Sequence, residues 1–310
     1  MKILIAYDGS ECSNAAIMDL RRAGLPAAAD VVVLCVAEVS TQYVAATGGA
    51  MMGGPVIESP DTLEAAETTR QQLKAAQGLA ARAADRLRGD FPLWRIHEES
   101  WVDSAAEAIE RKVRAWQPDL VVVGSHGRSG IGRLMLGSVS QHVLHHVQCS
   151  VRISRHHLHS QTRAIRILIG VDGSEPARAA ARAAAERIWP AGTEARVIGV
   201  LDSAIPISAA TTLEGAIPVS IEEQARIHMA KAVHEAAEPL RKAGLTTTHS
   251  IFVGKPKEVL LAEAEKWGAD SIFVGARGVN ALERFLLGSV SSALACRAHC
   301  SVEIVQPAAD

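Results

Sequence analysis

Apolar residues fall along this chain in two alternating patterns. Short unbroken runs come first: Ile3–Leu4–Ile5, Val31–Val32–Val33–Leu34 and Leu120–Val121–Val122–Val123. Between them lie longer stretches in which alanine and leucine recur at helical spacing, as in 62–88 and 104–116. The runs predict strands at 3–7, 31–37, 93–99, 120–123 and 149–153, the third with polar alternation that suits a position near an edge. The periodic stretches predict helices from Ala15 and Ala16 to Leu20, over 62–88, over 104–116 and over 138–147. A fully apolar strand such as 120–123 suits a sheet covered on both faces. Strands alternating with helices predict a parallel sheet with right-handed crossovers.

The same order then repeats, with strands near 166–171, 195–201, 247–253, 271–274 and 300–305. Residues 2–10 read KILIAYDGS and residues 166–174 read RILIGVDGS. Residues 121–139 read VVVGSHGRSGIGRLMLGSV and residues 272–290 read IFVGARGVNALERFLLGSV. The copies close on Cys149–Ser150–Val151 and Cys300–Ser301–Val302. The repeat divides the chain into domains at 1–156 and 164–310, with a polar linker at 157–163.

Composition adds bounds. The 310 residues are 48% hydrophobic and 21% charged, enough apolar material for two cores. A net charge of -2 argues against a nucleic-acid coat or a polybasic membrane patch. No run reaches the ~18 apolar residues of a membrane span. The opening MKILIAYDGS reads as a first strand rather than a signal peptide. Five cysteines with no zinc or redox spacing fit reduced thiols and a cytoplasmic setting.

Three features fall at the carboxyl ends of the predicted strands, where open parallel sheets bind ligands. The first is Asp8–Gly9–Ser10, matched by Asp172–Gly173–Ser174. Either the aspartate accepts from a ribose hydroxyl or base amine, or the segment only caps the next helix. The second is Gly124-x-x-Gly127, nine residues, then Gly137–Ser138–Val139, matched by Gly275-x-x-Gly278, nine residues, then Gly288–Ser289–Val290. Glycines after a strand permit close backbone approach, and a Gly-Ser at a helix start offers N–H groups and a hydroxyl to phosphate. The pattern does not open the first helix of its unit as a dinucleotide fingerprint does, and it lacks the Gly-Lys-Ser/Thr ending of a P-loop. The third is Val36, matched by Val200, which either meets an adenine edge or belongs to the strand core.

On these motifs both copies resemble the universal stress protein family, and the whole chain resembles a tandem two-domain member of its nucleotide-binding branch. The resemblance implies two α/β adenine-nucleotide alpha-hydrolase-like (Rossmann-like) domains, each a five-stranded parallel sheet with helices on both faces. It implies ATP, with Mg²⁺, held by Asp8, Val36, Gly124, Gly127, Arg128, Gly137, Ser138 and Val139. The second site would use Asp172, Val200, Gly275, Gly278, Gly288, Ser289 and Val290. The copies differ where Arg128 and Ser129 give way to Val279 and Asn280 while Arg277 replaces His126, so the first site is expected to be preferred. Arg133 and Arg284 either reach a phosphate or sit on a solvated face. The family pairs through its last strand, so the two copies are expected to form an intramolecular pseudo-dimer through 149–153 and 300–305, with further homodimerisation open.

The expected role is a nucleotide-responsive stress or signalling protein with little turnover, acting through a protein partner not identifiable from sequence. The alternatives are a slow ATPase or phosphotransferase, or a binder of another adenine nucleotide. No second carboxylate is fixed near Asp8 or Asp172 by sequence, which favours binding over phosphoryl transfer. His142, His145 and His146 at helical spacing, with His156, His157 and His159, read as a polar face and linker rather than a metal site. Met51 and Met52 in a glycine-rich insert read as a surface loop or a flap over the first site. Trp101 and its match Phe252 read as core or interface aromatics.

Overall fold

The computed structural model describes residues 1–38, 60–127, 136–155, 163–202, 221–278 and 287–307. Residues 157–162 of the linker, the Met51–Met52 insert, Arg128, Arg133, Arg284 and His156, His157 and His159 lie outside the described residues.

The first half runs β1 (Lys2–Ala6), α1 (Glu11–Asp19), β2 (Asp30–Ala37), α2 (Pro60–Asp90), β3 (Arg95–Val102), α3 (Ala105–Trp116), β4 (Leu120–Gly124), α4 (Ser138–His146) and β5 (Ser150–Ser154). The second half repeats it as β6 (Arg166–Val171), α5 (Glu175–Ala185), β7 (Glu194–Asp202), α6 (Ile221–Lys242), β8 (Thr246–Gly254), α7 (Pro256–Trp267), β9 (Ser271–Gly275), α8 (Ser289–Arg297) and β10 (Ser301–Val305). Local rules set the starts of α1 and α5. Ser10 accepts from Ser13 N–H at 3.2 Å and Ser174 from Ala177 N–H at 3.3 Å, so each serine caps its helix. No helix among the described residues is long and apolar enough to cross a membrane.

The expectation of two separate five-stranded sheets needs correction. Within each half the strands are parallel, but β5 and β10 pair antiparallel and make one ten-stranded mixed sheet, ordered β3-β2-β1-β4-β5-β10-β9-β6-β7-β8. Each half alone would leave β5 or β10 as an open edge, and pairing the two edges satisfies both rows of backbone groups. The outer edges are then β3 and β8.

Strand alternation sorts the core into layers. Leu4, Val32, Val121 and Val151 face α3 and α4, and the same layer continues through Val302, Ile272 and Leu168 toward α7 and α8. On the opposite face Ile3, Ile5, Val33 and Val122 pack under α1 and α2, while Ile167, Ile169 and Val197 pack under α5 and α6.

The seam buries charge as well as carbon. Glu303 stands opposite Arg152 in the β10–β5 register. Both side chains are at most 1% exposed. Arg152 donates to both carboxylate oxygens of Asp19, at 2.7 and 3.1 Å, and to Glu303 at 3.3 Å. Arg187 donates to the second oxygen of Glu303. Burial opposes the charge of Arg152, but Asp19 and Glu303 outweigh it and raise its pKa. Each half also reaches across the seam to the other's last helix. Arg155 donates to the carbonyls of Ala295, Cys296 and Cys300, and Gln306 Nε2 to Val147 O.

Candidate functional site

In each half the strand order reverses between β1 and β4, or β6 and β9, which is where a doubly wound sheet opens a crevice. The chain after β1 delivers Asp8 to that crevice. Gly9 turns it with a φ of +79°, and Gly173 does the same at +86°. Asp8 Oδ1 accepts from Ser10 N–H at 3.0 Å, and Asp172 Oδ1 from Ser174 N–H at 2.9 Å. The capping role therefore belongs to the serines. The aspartates are positioned by the same turn with their second oxygen directed elsewhere.

That second oxygen lies against the second glycine of the motif. A Cβ on Gly127 would stand 3.1 Å from Asp8 Oδ2, and one on Gly278 would stand 2.5 Å from Asp172 Oδ2. The first glycine of each pair lies against the start of the neighbouring helix. A Cβ on Gly124 would meet the Cys12 backbone at 2.9 Å, and one on Gly275 the Pro176 backbone at 2.5 Å. A Cβ would fall within 3.0 Å of a neighbour at Gly124, Gly275 and Gly278 and would be a tight fit against Asp8 at Gly127, and none of the four has a positive φ. The structure thus brings Asp8 and Gly127 together, and Asp172 and Gly278, as the motif spacing alone could not.

The far end of the motif is tied back to the near end. Gly137 N–H donates to Ser125 O at 2.8 Å, and Gly288 N–H to Ala276 O at 2.8 Å. Ser140 Oγ donates to Gly124 O at 2.7 Å, and Ser291 Oγ to Gly275 O at 2.6 Å. These two serines were not singled out from sequence. The signal was present, since both copies read Gly-Ser-Val-Ser. They hold the start of α4 and α8 beside the end of β4 and β9. Among the described residues no side chain caps either helix, and Ser138 and Ser289 are exposed. The first N–H groups of each helix and its positive end thus lie at the crevice with a hydroxyl beside them.

Val139 and Val290 are partly buried against the core. Val36 pairs with Trp101 across β2 and β3, and Val200 pairs with Phe252 across β7 and β8. Both valines join the core layer under α3, α4, α7 and α8. His126, beside Gly127, has its pKa lowered by burial and then by the charge of Arg155. Its Nδ1 meets Ser125 Oγ at 3.2 Å. Away from the crevice, His142 bonds Glu110 at 2.9 Å and stacks on His146, tying α3 to α4. Among the described residues no group of three or more His, Cys, Asp or Glu is arranged to hold a metal.

Comparison with known proteins agrees with the doubled architecture. The model of the universal stress protein family matches residues 1–155 and again 165–306. A universal stress protein of Mycolicibacterium smegmatis is 27% identical over 98% of this chain and 97% of its own length. A universal stress protein of Synechocystis is 50% identical over a shorter stretch, 16% of this chain and 31% of that protein. Among solved structures, a universal stress protein from Archaeoglobus fulgidus superposes with a TM-score of 0.64 at 18% identity, covering 98% of both chains. With the family matched over nearly the whole chain in two copies, the protein belongs to the universal stress protein family.

Proposed function

We propose that this protein binds adenine nucleotide, ATP with Mg²⁺, in the two strand-end crevices and acts as a nucleotide-responsive stress or signalling protein with little turnover. One observation carries the reading. In both halves a positioned aspartate oxygen lies against the second glycine of the motif, beside a helix start that no described side chain caps and that carries an exposed serine. The aspartate suits ribose hydroxyls. The helix start suits phosphate, by N–H donation and by the helix dipole. Magnesium takes one or two carboxylates plus substrate phosphates, so Asp8 or Asp172 fits as its protein contact. Val36 and Val200, one strand over, fit as apolar contacts for the base.

The two sites are unequal in their surroundings. The first has Ser125 and His126, and the second has Ala276 and Arg277. His126 with a lowered pKa is neutral at physiological pH, so the cation of the first site has to come from arginine. Arg128 is assigned that role.

The test is mass spectrometry of nucleotide carried through native purification, repeated after incubation with ATP and with Gly127→Ala and Gly278→Ala. Retained ATP that falls in each variant supports the reading. No adenine nucleotide in either preparation rejects it. Multiple turnovers lost with Asp8→Ala would favour an ATPase instead.

A further inference from the structure

We infer that the first half carries an additional anion site on α2, facing Asp8 and Gly9, which takes a polyphosphate chain. A cavity of about 720 Å³ lies between the Gly9 turn and α2. Its α2 wall includes Lys74, Gly78 and Arg82, spaced four residues apart and so on one helix face. Lys74 and Arg82 lie about 12 Å apart along the axis at 1.5 Å per residue, with Gly78 between them. The missing side chain at Gly78 leaves a notch. Arg82 already leans over it, since a Cβ on Gly78 would stand 3.5 Å from Arg82 Nη1.

Three observations separate this notch from an ordinary solvated face. First, two other cations of α2 are committed, Arg70 to Glu67 and Arg88 to Asp85 and Glu98, while Arg86, one turn beyond Arg82, makes no ion pair or hydrogen bond with a described residue. Lys74 and Arg82 make no ion pair or hydrogen bond with any described residue. Second, an interior helical glycine costs roughly 1 kcal/mol relative to alanine, and nothing packed against Gly78 requires one, unlike Gly124 or Gly275. Third, the second half carries different residues at the equivalent place. Buried Ala76, Ala80, Ala83, Ala84 and Leu87 of α2 correspond to buried Met229, Val233, Ala236, Ala237 and Leu240 of α6. That register puts Ile227 at the place of Lys74, Lys231 at the place of Gly78 and Glu235 at the place of Arg82. Lys231 there is solvent-exposed and lies 3.7 Å from Glu235, so the second half carries an exposed ion pair where the first has a glycine and an arginine.

The ligand class follows from the charges. Two cations of α2 line the cavity on either side of Gly78, and the carboxylate in the wall, Asp8, sits on the opposite rim with one oxygen engaged by Ser10 N–H. An anion therefore binds on the α2 side. The spread of the two cations favours a chain of two or more phosphates over a single phosphate. The inference does not require adenine nucleotide in the strand-end crevices.

The probe is inorganic triphosphate, titrated by calorimetry into the full chain in the presence of EDTA. The variants are Lys74→Gln/Arg82→Gln and Gly78→Lys/Arg82→Glu, the second of which carries the pair of the second half into the first. A control, Lys257→Gln/Lys266→Gln on exposed positions of α7, removes the same charge elsewhere. All these positions except Gly78 are exposed, so the fold is retained, and thermal unfolding verifies it. The expected result is triphosphate binding weakened at least tenfold in both notch variants and unchanged in the control. An equal fall in the control would show only general charge attraction and overturn the site. Affinity kept in the notch variants would place triphosphate at the strand-end glycines, overturning this site while leaving the nucleotide reading intact.

Discussion

Asp172 Oδ2 lies closer to Gly278 than Asp8 Oδ2 lies to Gly127, by the measure of where a Cβ would fall: 2.5 against 3.1 Å. At the shorter distance the carboxylate has to move. Its other oxygen is held by Ser174 N–H, so the movement breaks an Asx turn. Gly278→Ala is expected to weaken nucleotide binding at the second site more than Gly127→Ala weakens it at the first. Site-resolved titration in the two single variants checks this, and equal losses would count against the aspartate–glycine contact as the cause.

The first glycines of the motif predict a stability difference. At Gly275 the neighbour is backbone, Pro176 C at 2.5 Å and Ala177 N at 2.7 Å, and backbone gives way poorly. At Gly124 the nearest backbone atom is at 2.9 Å. Gly275→Ala is expected to destabilise by about 1–3 kcal/mol, as overpacking does, and Gly124→Ala by less. Urea unfolding of both variants measures the order, and a larger loss for Gly124→Ala would contradict it.

Arg152 predicts the largest loss of stability. Its removal takes a buried cation from Asp19 and from one oxygen of Glu303. Arg152→Ala is expected to destabilise by about 3–5 kcal/mol, the range for breaking a buried pair. Removing the exposed Arg70 from its pair with Glu67 should change stability by under about 1 kcal/mol. Denaturant midpoints of the two variants read the contrast directly.

His126 sets a pH dependence. Burial, and then the charge of Arg155, place its folded pKa below the ordinary histidine value of about 6.5. On acidification the unfolded chain binds this proton first, so the contribution is fully present above about 6.5 and is lost as pH falls through the folded value. Stability should therefore drop less between pH 7 and pH 5 in His126→Gln than in the unaltered protein. Histidine proton resonances should show His126 titrating below 6.5. Titration above 6.5, or identical pH profiles, would refute the assignment.

Much of the fold was legible because the central strands are dense apolar runs and each run occurs twice. β6 spans 166–171 as read from sequence, and the other strands differ from the reading by a few residues at their ends. The capping ambiguity at Asp8 was not soluble from sequence, because aspartate and serine two residues apart are both good N-caps. Only geometry shows that Ser10 caps and that Asp8 points at Gly127. Arg152 was invisible for a different reason. A charged residue in a strand reads as facing solvent, and its burial depends on Asp19 and Glu303, 133 and 151 residues away. Gly78 carries no signal of its own within the long helix in sequence, and only the structure sets a cavity beside it.

The seam also separates a fused chain from a pair of identical subunits. Arg152 and Glu303 hold matching positions of the two repeats, as Cys149 and Cys300 do. Two identical chains meeting through that strand about a twofold axis would set each such residue against its own twin, arginine on arginine or glutamate on glutamate, with no water to screen them. Covalent fusion lifts that constraint. Each repeat is free to mutate separately, and a charge gained on one side is answered by its opposite on the other.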